Sequence, residues 1–463
     1  MSRLFNKWLL VGFVLGFLSC IIAQRVEASG TNSEPYEQDT WLQEEMSRDQ
    51  WLEQELRSEQ ARQFIDERAQ PSLFPVEVQA ARNNDYPIVL VHGFGGWGRE
   101  EMLGFRYWGG LTDIEQNLTD FGYTVHTAAI GPVSSSWDRA CELYAQIKGG
   151  TVDYGEAHSK LHGHSRYGRT HPGFYPEWGT IDPATGHPKR VHLIAHSLGG
   201  QTVRLLTQLL AHGHEGERAA SAASDLSPLF NGGSNMWVRS IFTIAAPHDG
   251  TTMTHLVGGI VPHAQQIIGL AAAALGSVSK PVIDFKLDQW GLRREPGEPF
   301  ERYSQRVYNS SIWKSSQDTS EWDLSPHGAK ELNNWVQAQP EVYYFSIAAE
   351  QTFTGPLTGH ELPEPFMNPL FLPSTLFMGR YENGQLDSAW WQNDGIVNTV
   401  SMDGPKHGSS DKIVAFNEIP QAGVWNYVGL MNSHDHADMI GIGVRNMKDW
   451  YVGVARLLGS LPK

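Results

Sequence analysis

Short runs of apolar, often β-branched residues recur along the chain, and each stops at a cluster of turn formers. Pro87-Ile88-Val89-Leu90-Val91 ends in His92-Gly93-Phe94-Gly95-Gly96, and Val191-His192-Leu193-Ile194-Ala195 runs through Ser197 into Gln201 to Leu210, whose spacing is helical. Val238 to Ala245 precedes the turn cluster Pro247-His248-Asp249-Gly250, and Tyr343 to Ala348 forms a fourth run. Uninterrupted apolar runs of this length predict strands buried on both faces. Strands separated by helical stretches predict a mostly parallel sheet covered by helices, an α/β architecture. Between the third and fourth runs, Ile260, Ala264, Ile267, Ile268, Ala271 and Leu275 share one helical stripe. That stripe is either an ordinary core-facing helix or a lid with an apolar underside.

The start of the chain reads differently. Arg3 and Lys7 precede an apolar run from Trp8 to Ala23, and small residues follow around Val26-Glu27-Ala28. This layout predicts an export signal over residues 1–28 in preference to a membrane anchor, hence a secreted, extracellular protein with no membrane span in its mature form. Residues 29–84 are rich in Glu, Gln, Asp and Arg, with Trp41-Leu42 and Trp51-Leu52 ten positions apart. They predict a helical extension, either packed on the main body or serving as a pro-segment. Residues 85–463 form the main domain, and no repeat of 20 to 50 residues is present.

Composition narrows the classes. With 40% hydrophobic and 19% charged residues, 16 Trp and 47 Gly in 463 positions, the chain is globular, with core enough for one large domain and its insertions. A net charge of -16 argues against nucleic acid or an anionic membrane surface as partner. Cleavage near Ala28 would leave Cys141 as the single cysteine, so no internal disulfide could form and stability would rest on packing and metals.

Chemistry enters at Ala195-His196-Ser197-Leu198-Gly199-Gly200, which lies between a predicted strand and a predicted helix. Small residues two before and two after a serine permit the strained turn that lifts its hydroxyl above a sheet edge, the nucleophile elbow of the α/β-hydrolase fold. Ala195 stands where glycine is usual. A serine hydroxyl needs a histidine base, and the histidine needs a carboxylate to orient it; in this fold the chain order is Ser, acid, His. Asp394, in Trp391-Gln392-Asn393-Asp394-Gly395-Ile396-Val397, is the acid with uncharged, largely apolar neighbours, whereas Asp387, Asp403 and Asp411 compete from polar surroundings. His434-Asp435-His436 supplies two candidate bases near the C-terminus. Backbone N–H groups must meet the oxyanion, and Leu198 and Phe94 are the expected donors. His158, His162, His164 and His171 form a separate cluster, readable as metal ligands or as a polar loop.

These segments resemble the thermoalkalophilic lipases of Gram-positive bacteria, relatives of the staphylococcal lipases. The resemblance rests on Pro87 to Phe94, Gly96-Trp97-Gly98-Arg99-Glu100-Glu101-Met102, Trp137-Asp138-Arg139-Ala140-Cys141-Glu142, Asp284 to Leu292 and Asn393 to Thr399, and it runs from about Tyr86 to about Gly443. It implies a secreted triacylglycerol lipase acting on lipid esters at an oil–water interface, with a helical lid and a zinc-binding insertion. A carboxylesterase or phospholipase with the same triad, and a non-catalytic surface protein of the same fold, are the rival readings. The resemblance implies Ser197, Asp394 and His436 as triad, choosing His436 over His434 because Asp435-His436-Ala437-Asp438 matches the family pattern. It implies zinc on Asp138, His158, His164 and Asp288, in a structural role. It also implies a calcium site, for which Asp438 and the Phe366 carbonyl match, while Gly443 and Val444 stand where the family has an acid and a proline. Calcium takes six to eight oxygens, so the lost carboxylate should weaken or abolish that site.

Overall fold

Seven strands pair side by side, every pair parallel, in the order Ile413–Ala415, Trp425–Asn432, Tyr343–Glu350, Val238–Ile244, Val191–His196, Ile88–Val91 and Val125–Thr127. The computed structural model describes residues 81–256, 283–443 and 445–463. The export signal, most of the extension over 29–84 and the stripe from Ile260 to Leu275 lie outside the described residues.

In chain order the strands of this sheet are β1 (Ile88–Val91), β2 (Val125–Thr127), β5 (Val191–His196), β6 (Val238–Ile244), β7 (Tyr343–Glu350), β10 (Ile413–Ala415) and β11 (Trp425–Asn432). Two short antiparallel pairs lie outside it, β3 (Gly150–Asp153) with β4 (Tyr167–His171) and β8 (Thr352–Thr354) with β9 (Glu361–Pro363). The four strands predicted from apolar runs are β1, β5, β6 and β7. They are apolar throughout because helices cover both faces. Ile88, Leu90, Ile194, Phe242 and Phe345 pack on one side with α1 (Ile114–Asp120) and the C-terminal α5 (Lys448–Ser460). Val89, Val91, Leu193 and Ile241 pack on the other with α2 (Ser136–Lys148) and α4 (Gly199–His212). A short α3 (Glu156–His162) sits between β3 and β4. Among the described residues no helix is long and apolar enough to cross a membrane.

From β1 the chain moves outward to β2, whereas from β5 it moves the opposite way through β6 to β7. The neighbours β1 and β5 therefore flank the point at which strand order reverses, where the loops leaving their carboxyl ends diverge and open a crevice. The loop after β1 carries Phe94, and the turn after β5 carries Ser197. This is an α/β-hydrolase fold.

The helix after the turn lies very close to the sheet. A Cβ on Gly199 would stand 2.5 Å from the carbonyl oxygen of Val91, and one on Gly200 would stand 2.5 Å from Cβ of Ala246. Gly199→Ala should destabilise the fold by about 1–3 kcal/mol through overpacking against backbone that cannot rotate away. The measurement is the urea midpoint at unchanged slope. An unchanged midpoint would mean that α4 rides higher on β1 than described.

Candidate active site

Ser197 adopts φ +57, a left-handed conformation that a residue with a side chain rarely takes. Its N–H donates to the Ile244 carbonyl of β6 at 3.0 Å, so the strained residue is anchored to the neighbouring strand. The crowding around it explains the glycines. A Cβ on Gly93 would stand 2.5 Å from Cβ of Ser197 and 3.0 Å from its Oγ. The loop after β1 thus presses directly against the nucleophile candidate. Leu198, buried, opens α4, where the first N–H groups of a helix have no intrahelical acceptor. Phe94 is half-buried and packs against the apolar cluster that includes Val133, Phe285 and Phe300.

Beneath the loop, Arg139 is fully buried. Its guanidinium donates to the carbonyls of His92 and, at 2.6 Å, Gly131, and to Oγ1 of Thr202 at 3.0 Å. One cation therefore joins the loop after β1, the loop after β2 and helix α4.

Asp394 and His436 meet at the same end of the sheet. His436 Nδ1 lies 2.6 Å from Asp394 Oδ2, and the His436 N–H donates to the Asp394 carbonyl at 3.0 Å. The other carboxylate oxygen accepts from the N–H groups of Ile396 and Val397 at 3.0 and 2.8 Å. Asp394 is fully buried, as an orienting carboxylate should be. His434 turns away instead, with Nδ1 2.8 Å from the carbonyl of Asn432, and burial lowers its pKa. The geometry thus brings Asp394 to His436 and not to His434. Of the competing acids, Asp403 pairs with Lys406 and Asp411 accepts from the Ala338 N–H and the Trp425 indole.

A second group of polar side chains gathers where the β3–β4 insertion meets the body. Asp138, His158, His164 and Asp318 each offer one ligand atom, all within 4.8 Å of one another. His158 Nε2 stands 3.3 Å from oxygens of both Asp138 and Asp318, and His164 Nε2 stands 3.2 Å from Asp318. Burial alone would lower the His158 pKa; the Asp138 and Asp318 carboxylates reverse this and raise it to about 10, the mark of a pocket shaped for positive charge. Asp138 Oδ1, both nitrogens Nε2 and both oxygens of Asp318 are buried without a hydrogen-bond partner. Such a set of unpartnered oxygen and nitrogen ligand atoms fits a divalent cation. His164 Nδ1 lies 2.9 Å from the Ser165 carbonyl, an outer contact that leaves Nε2 free to ligate. Trp137 stacks on His158 at 4.8 Å and Gln289 donates to Asp138 Oδ2 at 2.6 Å, fixing two of the four.

Asp288, expected as the fourth ligand, is not in this group, and Asp318 takes its place. Its two oxygens accept from Arg169 at 2.7 and 2.6 Å, so its charge is already committed to a guanidinium. Its segment still touches the cluster, through Gln289 and through Trp290, whose ring lies 4.8 Å from that of His164. Asp318 sits in the polar run Ser315-Ser316-Gln317-Asp318-Thr319, which carries no spacing signal of a ligand.

At the residues expected for calcium, no set of three or more ligating side chains converges among the described residues. Asp438 is buried, with Oδ1 accepting from the Arg445 N–H at 3.3 Å. A Cβ on Gly443 would fall 1.8 Å from that same oxygen, so the family's acid at this position would require the Asp438 side chain to turn aside. The Arg445 guanidinium donates to the Ser433 carbonyl at 3.0 Å, placing a fixed positive charge on the loop. Phe366 is 80% exposed.

Comparison with known proteins places this geometry among relatives. Residues 84–456 match the family described as "Lipase-like, C-terminal domain". A Staphylococcus epidermidis protein named "Lipase" is 35% identical over 392 residues, 83% of this chain and 54% of that one, so the chain spans about half the length of the curated relatives it matches. Among solved structures, lipase 1 from Pelosinus fermentans is 53% identical, with TM-score 0.74, covering 82% of this chain and 100% of that one. EstA from Clostridium botulinum is 45% identical, with TM-score 0.76, covering 85% and 92%.

The metal group yields a direct check on the exchange of Asp288 for Asp318. Asp318→Ala should lose the bound divalent ion, measured by elemental analysis of the purified protein, while Asp288→Ala should keep it. Chelation should lower the unfolding temperature of the parent, since ion at about a thousandfold its Kd adds about 4 kcal/mol of stability by linkage. Retention of metal in Asp318→Ala would refute the assignment.

Proposed function

Because the chain belongs to the lipase-like C-terminal domain family, we propose that it is a secreted lipase that hydrolyses the carboxylic esters of triacylglycerol at an oil–water interface. The observation that carries this reading is the buried Asp394–His436 pair, whose His436 carbonyl lies 3.1 Å from Nε2 of His196, the residue before a serine held at positive φ. The activity follows from what each group can do. Ser197 Oγ attacks the ester carbonyl carbon and gives its proton to His436 Nε2. Asp394, bonded to Nδ1, holds the ring in the tautomer that can accept this proton and stabilises the imidazolium that forms. The carbonyl oxygen, now negative, is met by the N–H groups of Phe94 and Leu198. When the carbon–oxygen bond to glycerol breaks, the leaving alkoxide takes the proton from His436. Water then delivers a proton to the same nitrogen, its oxygen attacks the acyl carbon, and the fatty acid leaves as Ser197 Oγ is reprotonated.

In this reading Asp138, His158, His164 and Asp318 hold zinc. Two imidazoles and two carboxylates suit tetrahedral zinc, and four protein ligands leave no position for a substrate water. The ion would tie the β3–β4 insertion to α2 and leave the ester chemistry to the triad. Residues 1–28 serve as export signal, 29–84 as an N-terminal extension and 85–463 as the catalytic domain.

Replacement of single side chains tests the roles. Ser197→Ala and His436→Ala should abolish turnover of emulsified tributyrin, Asp394→Asn should lower kcat by about four orders of magnitude, and His434→Ala should keep most activity. Unimpaired hydrolysis by Ser197→Ala would remove the proposed nucleophile. Rates measured across the solubility limit of tributyrin decide the substrate class: a rise when droplets form supports the lipase, and saturation below the limit identifies a soluble carboxylesterase.

A further inference from the structure

Behind the triad runs a continuous chain of hydrogen bonds that the mechanism above does not use. The Gly93 N–H donates to Tyr107 Oη at 2.9 Å. Tyr107 Oη lies 2.7 Å from His196 Nδ1, and His196 Nε2 lies 3.1 Å from the carbonyl oxygen of His436. Donor and acceptor roles follow from the two ends. A carbonyl oxygen only accepts, so His196 Nε2 carries the hydrogen; Nδ1 of the neutral ring then accepts, and the tyrosine hydroxyl donates to it while its oxygen receives Gly93. The neutral form is the one that burial and the nearby His436 favour, since both push the His196 pKa well down.

This chain joins the parts of the site that must move together. Gly93 immediately precedes Phe94 and packs against Ser197. His196 immediately precedes Ser197 and ends β5. His436 is held at three points, of which its N–H and Nδ1 go to Asp394 and its carbonyl goes to His196. The third point, together with the ring contact between His196 and His436 at 4.4 Å, ties the base to the strand that carries the nucleophile.

We propose that Tyr107 and His196 are positioning residues that hold the oxyanion loop and the base in one register around Ser197. Neither touches the reacting atoms. Their hydrogen-bonded chain sets the Gly93–Phe94 peptide and the His436 backbone from a common support. Small displacements of such groups are costly to rate, because both the base and the oxyanion donors must sit at reacting distance at once. The inference rests on the triad of Ser197, Asp394 and His436.

Kinetics on p-nitrophenyl butyrate test it. Tyr107→Phe keeps the ring, which Trp97 and Trp108 pack edge-on at 5.3 and 5.5 Å, and removes only the hydroxyl. His196→Asn presents an acceptor near Nδ1 and loses the reach to His436, whereas His196→Gln can place an amide N–H where Nε2–H stood. Tyr107→Phe and His196→Asn should each lower kcat about tenfold with KM changed less than about twofold. His196→Gln should recover at least about threefold over His196→Asn, and the double variant Tyr107→Phe/His196→Asn should be no slower than the slower single, as groups acting as one unit behave. A kcat within about twofold of the parent for Tyr107→Phe, or losses that multiply in the double variant, would overturn the proposal. Thermal unfolding accompanies each variant, and should the His196 variants fail to fold, Tyr107→Phe decides. Ser197→Ala, assayed alongside, separates the two levels: its inactivity with unimpaired Tyr107→Phe sinks only this inference, while its retained turnover sinks the triad beneath it.

Discussion

The turn at Ser197 requires a side-chain-bearing residue to sit at positive φ between a buried strand and a buried helix. A non-glycine residue pays on the order of 1–2 kcal/mol for that conformation, which persists only where the surroundings over-determine it. Here they do. Its N–H is bonded to β6, Gly93 leaves no space on one side, and Gly199 brings α4 against the Val91 carbonyl on the other. Much of the molecule can be read as support for this one residue. Ala195, in place of the usual glycine, belongs to the apolar layer that also holds Val89 and Val203.

The rest of the site is assembled from the same end of the same sheet. Phe94 follows β1, Asp394 lies in a loop whose Asn393 carbonyl is bonded to the Gln351 N–H just past β7, and His436 follows β11. Parallel strands make this possible, since every carboxyl end faces one way. Buried polar groups then lock the loops to each other: Arg139 below the β1 loop, backbone N–H groups around Asp394, and the hydrogen-bonded line from Gly93 to His436. In so dry a setting each of these groups would be costly to leave unpaired, so they hold position as well as charge.

What could be read from the linear chain follows from this physics. The four strands buried on both faces announce themselves by unbroken apolar runs, and the elbow by small residues in a fixed place. Strand β11 did not, because its Asn426 spends its amide on the Tyr344 and Gln421 carbonyls and its ladder shifts register between Tyr427 and Gly429. The metal group was legible in three of its four members. Nothing local distinguishes Asp318 from Asp288; what separates them is Arg169, which captures Asp288 from a strand 119 positions earlier in the chain. Tyr107 and His196 meet across 89 positions, a contact that no spacing encodes.

If Ser197 is the nucleophile proposed above, it should react with an acylating or phosphorylating agent ahead of every other hydroxyl. Exposure to diethyl p-nitrophenyl phosphate followed by peptide mass mapping tests this most directly. One diethylphosphoryl adduct per chain is expected, located on Ser197, with loss of activity in proportion to its formation. No incorporation, or an adduct on a different residue with activity lost in step, would contradict it.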